Sequence, residues 1–190
     1  MSRKSEKLKK KKIKEKRLRF IKNTLNIGMF LLVVLIITWV LHTYVVERIE
    51  VHNHSMEPTL SSGDILLMDK ITYSKKNPKR FDIVIFENKA VEDDLIKRVI
   101  GLPGESIRIV HGKIYINGEL VDDIDGLEPP YEEGIAAEDF ELGSDEYFVI
   151  GDNREVSIDS RSMDIGAIKR NNIVGKVFIR IKPIKKFWVK

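Results

Sequence analysis

The sequence has no cysteine among its 190 residues. This absence excludes cysteine nucleophiles, thiolate zinc sites and disulfide bonds, so the folded part must be stabilised by its own apolar core. The length allows one membrane segment and one domain of roughly 140 residues, which is the commonest domain size. A second domain of full size does not fit, and no internal repeat is visible.

Fixed charge is absent from residues 24–46, a run of 23 mostly apolar residues. A helix of that length reaches about 34 Å, which exceeds the hydrocarbon core of a bilayer at about 30 Å. No small-x-small cleavage site follows the run, which favours a permanent span over a cleaved signal peptide. The prediction is a basic cytoplasmic segment at 1–22, a transmembrane helix at 23–46 and an extracytoplasmic domain at 47–190.

Positive charge is concentrated before the apolar run. Residues 1–22 hold twelve Lys or Arg against two Glu, whereas the rest of the chain has more acidic than basic side chains. A basic run can bind nucleic acid, but this one directly precedes an apolar helix, has one aromatic residue and contains no groove-reading motif. We therefore expect it to stay in the cytoplasm against the lipid bilayer, with no nucleic-acid partner, in a single-pass protein of the cell membrane.

Helical periodicity is lacking after the apolar run, where short β-type segments alternate with turn signals. This pattern predicts an all-β domain preceded by a single N-terminal transmembrane helix. Asn117-Gly118 favours a tight hairpin turn between 113–116 and 119–121. Residues 122–145 are acidic, contain proline and glycine and show little alternation, which predicts a long solvated excursion. The predicted strands are 48–51, 65–68, 83–86, 96–102, 106–110, 147–150 and 174–181.

Two polar side chains after the apolar run form a candidate catalytic pair. Ser55 begins Ser-Met-Glu-Pro-Thr-Leu, and Lys97, forty-two residues later, lies in a predicted strand between Ile96 and the apolar Val99-Ile100. A serine hydroxyl is a weak nucleophile until a neighbouring group accepts its proton. A lysine does so near neutral pH only if its pKa falls by about three units, equivalent to roughly 4 kcal/mol, which requires burial away from carboxylates. Strand alternation points Lys97 to the face of Val99, and Arg98 to the opposite one.

A third polar segment completes a series of motifs. The series is Ser-Met-x-Pro-Thr-Leu at 55–60, Lys-Arg-x-Ile-Gly-Leu-Pro-Gly at 97–104 and Gly-Asp-Asn-Arg-x-x-Ser-x-Asp-Ser-Arg at 151–161. In this order, after one membrane span, the motifs resemble those of bacterial type I signal peptidases, the membrane-anchored Ser/Lys endopeptidases of the S26 family. The resemblance implies a signal-peptidase-like β fold and the removal of signal peptides from secretory preproteins through an acyl-enzyme, with no cofactor and no metal.

The resemblance also implies a role for individual residues. Ser55 attacks the scissile carbonyl and donates one oxyanion hydrogen bond from its backbone N–H, and a neutral, buried Lys97 takes the hydroxyl proton. Ser157 matches a serine that orients the lysine amine, and Asp159 and Arg161 match an ion pair that supports the site. The positions that match shallow pockets for the small side chains before the cut are Val51, Met56, Leu60, Ile85 and Ile96.

One position near the nucleophile departs from the family pattern. Members commonly have Ser, Thr or Gly two residues before the catalytic serine, where a hydroxyl, if present, is the second oxyanion donor. Here that position is Asn53. We expect its side-chain amide N–H to serve instead.

Two histidines beside Ser55 raise a rival Ser/His mechanism. Histidine has a reference pKa near 6.5, which suits a general base better than that of lysine. His54, however, directly precedes Ser55, and adjacent side chains in an extended segment point to opposite faces. A metal site at His52 and His54 lacks an evident third ligand, so both are predicted to be polar rim residues.

A different class of protein also fits the motifs. The chain could be a catalytically inactive, membrane-tethered binding protein that kept the fold. The presence of both Ser55 and Lys97 argues against this alternative.

Overall fold

One long helix accounts for the N-terminal part of the chain. The computed structural model describes residues 3–88, 94–122 and 124–183, and the chain divides into two units, Met1–Thr43 and Tyr44–Lys190. Helix α1 spans Arg3–Tyr44 and forms the first unit.

Helix α1 differs from the predicted span of 23–46 at both ends. It begins at Arg3, because the Lys, Arg and Glu residues of the basic segment have good helix propensity and continue the helix. It ends at Tyr44, and Val46 is instead the first residue of a strand, where it pairs with Asp69. Hydropathy alone does not separate the valines of a helix end from those of a strand start.

The apolar part of α1 makes no core of its own. An 18-residue window within Lys14–Val40 has a mean hydropathy of 2.1 and none of that window is buried, so this part of α1 is long and apolar enough to cross a membrane. Phe30 and Leu35, for example, are each about two thirds exposed, at 66% and 67%. A contiguous apolar surface of this kind requires an apolar partner outside the chain.

In its described residues, the second unit has eleven strands, one short α-helix, α2 (Thr72–Lys75), and two 3-10 helices, Gly134–Ala137 and Arg170–Asn172. All strand pairs recorded in the described residues are antiparallel. The strands are β1 (Val46–Glu50), β2 (Ile65–Asp69), β3 (Ile83–Phe86), β4 (Leu95–Gly101), β5 (Ser106–Val110), β6 (Lys113–Ile116), β7 (Glu119–Leu120), β8 (Phe140–Glu141), β9 (Glu146–Ile150), β10 (Ile168–Lys169) and β11 (Ile173–Lys182).

The strands form two sheets. The larger has seven strands in the order β1-β2-β11-β3-β4-β9-β10, and the smaller has four in the order β7-β6-β5-β8. Strand β4 lies inside the larger sheet, between β3 and β9, and residues Ile96–Gly101 are all buried. A strand buried on both faces is expected to be continuously apolar, so the charged pair Lys97-Arg98 within it is unusual.

Three apolar clusters stabilise the second unit. The first packs around Met56, Leu60 and β2, the second lies between the two sheets at Ile107 and Phe148, and the third lies around Phe86 and Val149. Buried leucine and isoleucine side chains of this kind contribute about 1.5–3 kcal/mol each relative to exposure. The domain therefore has the core that a chain without disulfides needs.

The predicted strands are present, with ends within two residues of the predicted ones. The hairpin is confirmed as well: Asn117 and Gly118 have φ values of 53° and 81°, as a primed turn requires, and β6 pairs with β7. The two-residue strands β8 and β10 were not predicted, because a pair of residues carries no alternation to detect.

The excursion at 122–145 is less solvated than predicted. Its second half contains a 3-10 helix, Gly134–Ala137, and strand β8, which pairs with β5. Ala136 and Leu142 are buried in the second apolar cluster. Small and isolated apolar residues among acidic ones conceal this packing in the sequence, because neither helical nor strand periodicity marks them.

Candidate active site

The loop between β1 and β2, residues Val51–Asp64, carries Ser55. The N–H of its first residue donates to the carbonyl of its last at 2.9 Å, which closes the loop at its base. Within it, the Leu60 N–H donates to the Met56 carbonyl at 2.8 Å, and both side chains are fully buried. This β1–β2 loop is therefore held by its backbone and by apolar anchors, and Ser55 lies at the start of the turn with 7% exposure.

Lys97 approaches Ser55 from the middle of β4. It stands opposite Val84 of β3 and is only 1% exposed. Its Nζ lies 2.7 Å from Ser55 Oγ, within hydrogen-bonding distance. The loop and the interior strand thus bring together the two residues that the sequence separates by forty-two positions.

The surroundings of Lys97 favour a neutral amine. Burial lowers the pKa of Lys97 from 10.5 to about 8, because loss of hydration disfavours the ammonium form. Asp159 raises the pKa, Arg161 lowers it and Asp152 raises it, in decreasing order of effect. The prediction that Lys97 lies away from carboxylates is wrong. Both carboxylates are instead paired with arginines, which limits their effect on the lysine.

Asp159 and Arg161 form one of these pairs. Arg161 Nε donates to Asp159 Oδ1 at 2.8 Å and Nη2 donates to Oδ2 at 3.0 Å, in the two-pronged geometry that makes Arg–carboxylate pairs strong. Asp159 Oδ2 also accepts the Gly151 N–H at 3.0 Å. The pair therefore ties together the two ends of the motif at 151–161.

The excursion also holds this pair. Arg161 Nη1 donates to the Glu132 carbonyl at 3.3 Å, and the Ile135 N–H donates to the Arg161 carbonyl at 2.9 Å. Gly134, at φ +57°, lies so close to the Arg161 backbone that a Cβ would overlap it. A region that appeared solvated in the sequence therefore contacts the active site.

Gly151 lets the third motif approach Ser55 closely. A Cβ at this position would stand 2.5 Å from the Ser55 carbonyl oxygen and would also collide with Ser157 Oγ. Glycine is therefore the residue that permits this contact between the β1–β2 loop and the third motif.

Ser157 does not hydrogen-bond Lys97 in the structure. Its Oγ is buried and has no hydrogen-bond partner among the described residues. It lies beside Gly151 and the Ser55 backbone, close to the site but without a hydrogen bond to Lys97. The expected contact with the lysine amine therefore requires a rotation of the Ser157 side chain or a bridging water.

Asn53 presents its amide oxygen, not its N–H, to Ser55. Asn53 Oδ1 accepts a hydrogen bond from Ser55 Oγ at 2.8 Å and one from the Ser55 N–H at 3.3 Å. The expected donor role therefore is not the arrangement seen here. Turning the amide over about its terminal torsion, which is a soft two-fold rotor, would present the N–H instead.

The two histidines lie outside this arrangement. His54 is exposed, and its Nδ1 lies 2.9 Å from Glu57 Oε1, an acidic neighbour, while His52 is also exposed. Among the described residues, no group of three or more His, Asp or Glu side chains is placed to hold a metal ion. The contact to Ser55 Oγ comes from Lys97, which favours lysine over histidine as the base.

The family whose sequence pattern is described as "Signal peptidase, peptidase S26" matches residues 24–182, which is most of the chain. The chain belongs to this family. It is therefore a serine endopeptidase of the signal peptidase type, and the alternative of an inactive binding protein has no support.

Several relatives are named signal peptidases. The chain is 35% identical over 167 residues to a probable signal peptidase I-2 of Synechocystis, covering 84% of this chain and 74% of that protein. It is 40% identical over 164 residues to signal peptidase I of Bacillus caldolyticus, covering 77% and 85%. A crystal structure of a signal peptidase I from Enterococcus faecalis is 30% identical, with a TM-score of 0.42, covering 53% of this chain and 97% of that one.

The five apolar residues expected to line the substrate pockets of this S26 peptidase are brought together by the fold. All of them belong to the first apolar cluster, and none is more than 6% exposed. They come from the β1–β2 loop and from the adjacent strands β3 and β4, namely Val51, Met56, Leu60, Ile85 and Ile96. Residues this buried belong to the core, and their role in lining substrate pockets stays a prediction.

Sequence reasoning missed a second buried ion pair of this signal peptidase domain. Arg98 Nε donates to Asp152 Oδ1 at 2.8 Å and Nη2 donates to Oδ2 at 2.6 Å, and both side chains are almost wholly inaccessible. Arg98 Nη1 also donates to the Phe81 carbonyl at 2.9 Å. The sequence did contain a signal for this pair. A charged residue inside a buried strand, such as Arg98, requires a partner of opposite charge, and the third motif contains the carboxylate of Asp152.

Asn153 was also missed. Its N–H donates to the Ser55 carbonyl at 3.0 Å, and its Nδ2 donates to the His54 carbonyl at 3.1 Å. These bonds join the third motif directly to the backbone on either side of the nucleophile candidate. No pattern in the sequence specifies such side-chain to backbone contacts across ninety-nine positions.

Proposed function

We propose that this protein removes N-terminal signal peptides from secreted preproteins, with Ser55 as nucleophile and Lys97 as general base. The supporting observation is the 2.7 Å contact between Ser55 Oγ and Lys97 Nζ at a site where burial lowers the pKa of the lysine to about 8. A desolvated amine of that pKa is largely deprotonated at slightly alkaline pH and accepts the hydroxyl proton. Membership of the signal peptidase family supplies the substrate class.

The chemistry takes place in two acyl-transfer steps. Lys97 accepts the Ser55 hydroxyl proton as Oγ bonds to the scissile carbonyl carbon, and the resulting ammonium donates that proton to the leaving amine of the mature protein. Lys97 next takes a proton from water as the water oxygen attacks the acyl-enzyme, and returns it to Ser55 Oγ. The free acid of the signal peptide and the original enzyme result.

The oxyanion of each tetrahedral intermediate requires fixed hydrogen-bond donors. We assign the Ser55 N–H as one donor, and the Asn53 amide as the second after it turns over. In the resting arrangement Asn53 Oδ1 accepts hydrogen bonds from both the hydroxyl and the N–H of Ser55. A substrate carbonyl entering the site therefore competes with Asn53, and its arrival favours the turned amide.

The substrate residues before the cut are assigned to the first apolar cluster. Its members Met56, Leu60 and Ile85 are fully buried, while Ile96 is the most accessible of the predicted pocket residues at 6%. A substrate side chain must displace packed atoms to reach residues this buried, and an alanine-sized side chain displaces the fewest. The expected substrates thus have small residues before the scissile bond.

Ser55→Ala tests the proposed function. A detergent-solubilised full-length enzyme should cleave a preprotein after a small residue, and the variant should lose cleavage by at least about 10⁴-fold. Ser62→Ala is the matched control, because Ser62 is an exposed serine of the same loop whose hydroxyl donates to the backbone carbonyl of His52. Wild-type rates in Ser55→Ala would exclude Ser55 as the nucleophile.

The pH dependence of cleavage follows from the neutral form of Lys97. Because the pKa is lowered to about 8, kcat/KM should rise about tenfold per pH unit below that value and level off above it. The rate is measured with a short peptide whose own groups do not titrate between pH 6 and 10. A plateau in kcat/KM that begins near pH 6.5 would indicate histidine as the base. If His54→Ala has the pH profile of the wild type, His54 is excluded as the base.

We assign the apolar part of α1 to a single membrane span, with the N-terminus cytoplasmic and the peptidase domain outside the cell membrane. The exposed apolar part of α1 within Lys14–Val40 and the excess of Lys and Arg in residues 1–22 support this topology. A protein that begins near Arg48 should cleave a soluble peptide but process preproteins in bilayers poorly, because it lacks confinement to the same surface. Turnover of both substrates by truncated and intact enzyme is compared. If the truncated protein is folded and loses turnover equally on the peptide and on the preprotein, the helix contributes to the active site itself, which contradicts the proposed role in membrane confinement.

A further inference from the structure

Arg180 on β11 reaches the β1–β2 loop at two points. Its Nη1 donates to Asp64 Oδ2 at 2.7 Å and to the Thr59 carbonyl at 3.1 Å. The Arg180 and Asp64 side chains are only 9% and 5% exposed, so the ion pair is largely desolvated. Asp64 ends the loop, and Thr59 lies in the turn that begins at Ser55.

The ion pair is integrated into the fold of the loop. The same Asp64 oxygen accepts the Ser61 N–H at 3.0 Å, and the Asp64 backbone closes the loop against Val51. Arg180 itself stands opposite Leu66 in the pairing of β11 with β2. One guanidinium therefore connects a strand of the larger sheet to both the middle and the end of the loop.

The turn is also linked to the strand that carries the base. Arg98 Nη2 lies 3.5 Å from Thr59 Oγ1, and Arg98 is the neighbour of Lys97 on β4. Thr59 thus contacts Arg180 through its carbonyl and Arg98 through its hydroxyl. The distance between Ser55 and Lys97 depends on this turn because the two residues belong to separate elements.

We propose that Arg180 is a positioning residue, which holds the Ser55–Leu60 turn so that Ser55 Oγ stays within hydrogen-bonding distance of Lys97 Nζ. The inference rests on the proposed function in that it concerns the same site. Arg180 acts on the site through its bonds to Thr59 and Asp64. A displacement of about 1 Å at a catalytic group costs about 100-fold in rate, so the loss of this support should reduce turnover more than substrate binding.

The kinetic test uses full-length enzyme in detergent, assayed well below its thermal midpoint. Arg180→Met should lower kcat by about 10–100-fold with KM changed by less than about twofold. Arg180→Lys retains a cation beside Asp64 and should recover part of the loss. Lys176→Met, which removes a cation of the same strand that pairs with Asp82 instead, should leave kcat unchanged.

A double variant addresses the charge that Arg180→Met leaves unpaired. Arg180→Met with Asp64→Leu removes both charges and restores folding if the single variant unfolds. If Arg180 only stabilises the fold, the folded double variant has wild-type kcat, and the proposal is overturned. A persistent loss of kcat at unchanged KM supports it.

The position of Ser55 is also measured without cleavage. The ¹³Cε signal of Lys97, assigned by its loss in Lys97→Met, is titrated in wild type and in the double variant. Release of the turn should admit water to the amine and raise the titration midpoint towards that of an exposed lysine, and an unchanged midpoint overturns the proposal. If wild type cleaves no preprotein, the proposed function fails, while this titration still decides the role of Arg180.

Discussion

Replacing Lys97 with methionine should abolish cleavage and at the same time make the protein more stable at pH 7. Loss of the general base should lower kcat by about 10⁴-fold or more. The buried ammonium opposes folding, since its pKa falls from 10.5 to about 8 in the folded state, a difference equivalent to about 3 kcal/mol. The lost hydrogen bond to Ser55 offsets about 1 kcal/mol of this gain. A net increase of about 1–3 kcal/mol in the free energy of unfolding is expected.

The size of this stability gain depends on pH. Between about pH 8 and 10.5 the unfolded chain binds the proton that folded Lys97 has released, so the wild type gains stability as pH rises through this window. The advantage of Lys97→Met should be complete below about pH 8 and lost above about pH 10.5. Urea unfolding at pH 7 and pH 10.5 measures it. Lys113→Met, at an exposed position of β6, should change stability little at either pH. A Lys97→Met protein less stable than wild type at pH 7 would contradict the burial argument.

Asp152→Asn should produce the largest loss of stability, about 3–5 kcal/mol, by leaving Arg98 charged and buried without its carboxylate. This is a large part of the total stability of an ordinary domain, at about 5–15 kcal/mol. The amide has nearly the same shape as the carboxylate, so packing is preserved and charge is the variable. Unfolding by urea at pH 7 measures the effect.

Two further variants distinguish the effect of the buried charge from a general loss of stability on substitution. Glu47→Gln breaks the Lys70–Glu47 pair, whose side chains are 35% and 45% exposed, and should cost at most about 1 kcal/mol. Arg98→Met with Asp152→Leu removes both buried charges and should recover most of the loss. If Asp152→Asn and Glu47→Gln are equally mild, the buried pair does not stabilise the domain as the structure indicates.

The secondary structure was largely predictable because the strands are long enough to show their alternation. The strand Ser106–Val110 shows this, with Ile107 and Ile109 buried and Arg108 exposed. The Asn117-Gly118 turn was predictable because turn chemistry is local. The contacts of the excursion were not, because Ala136 and Leu142 are buried by long-range packing that leaves no periodic signal. The end of α1 was misplaced for a related reason, since Val46 satisfies a hydropathy window and a strand equally well.

The candidate site was predictable in its membership more than in its geometry. The order of the motifs indicated Ser55 and Lys97, and their 2.7 Å contact is what such a pair requires. The orientation of the Asn53 amide depends on a small side-chain rotation that residue identity does not specify. The same holds for the Ser157 hydroxyl, which has no hydrogen-bond partner among the described residues. Arg180 was not identified because its role depends on the approach of β11 to the β1–β2 loop.

The position of β4 inside the larger sheet carries a consequence for how the enzyme can fail. Lys97 and Arg98 are adjacent, so a slip of the strand by one residue would exchange their faces. A guanidinium would then stand beside Ser55, and because it is not deprotonated in proteins it cannot act as a base. Pairing with β3 on one edge and β9 on the other opposes the slip from both sides. A misregistered protein would retain its composition, charge and most of its sheet, yet would be wholly inert, so correct folding of this enzyme is best judged by activity per molecule.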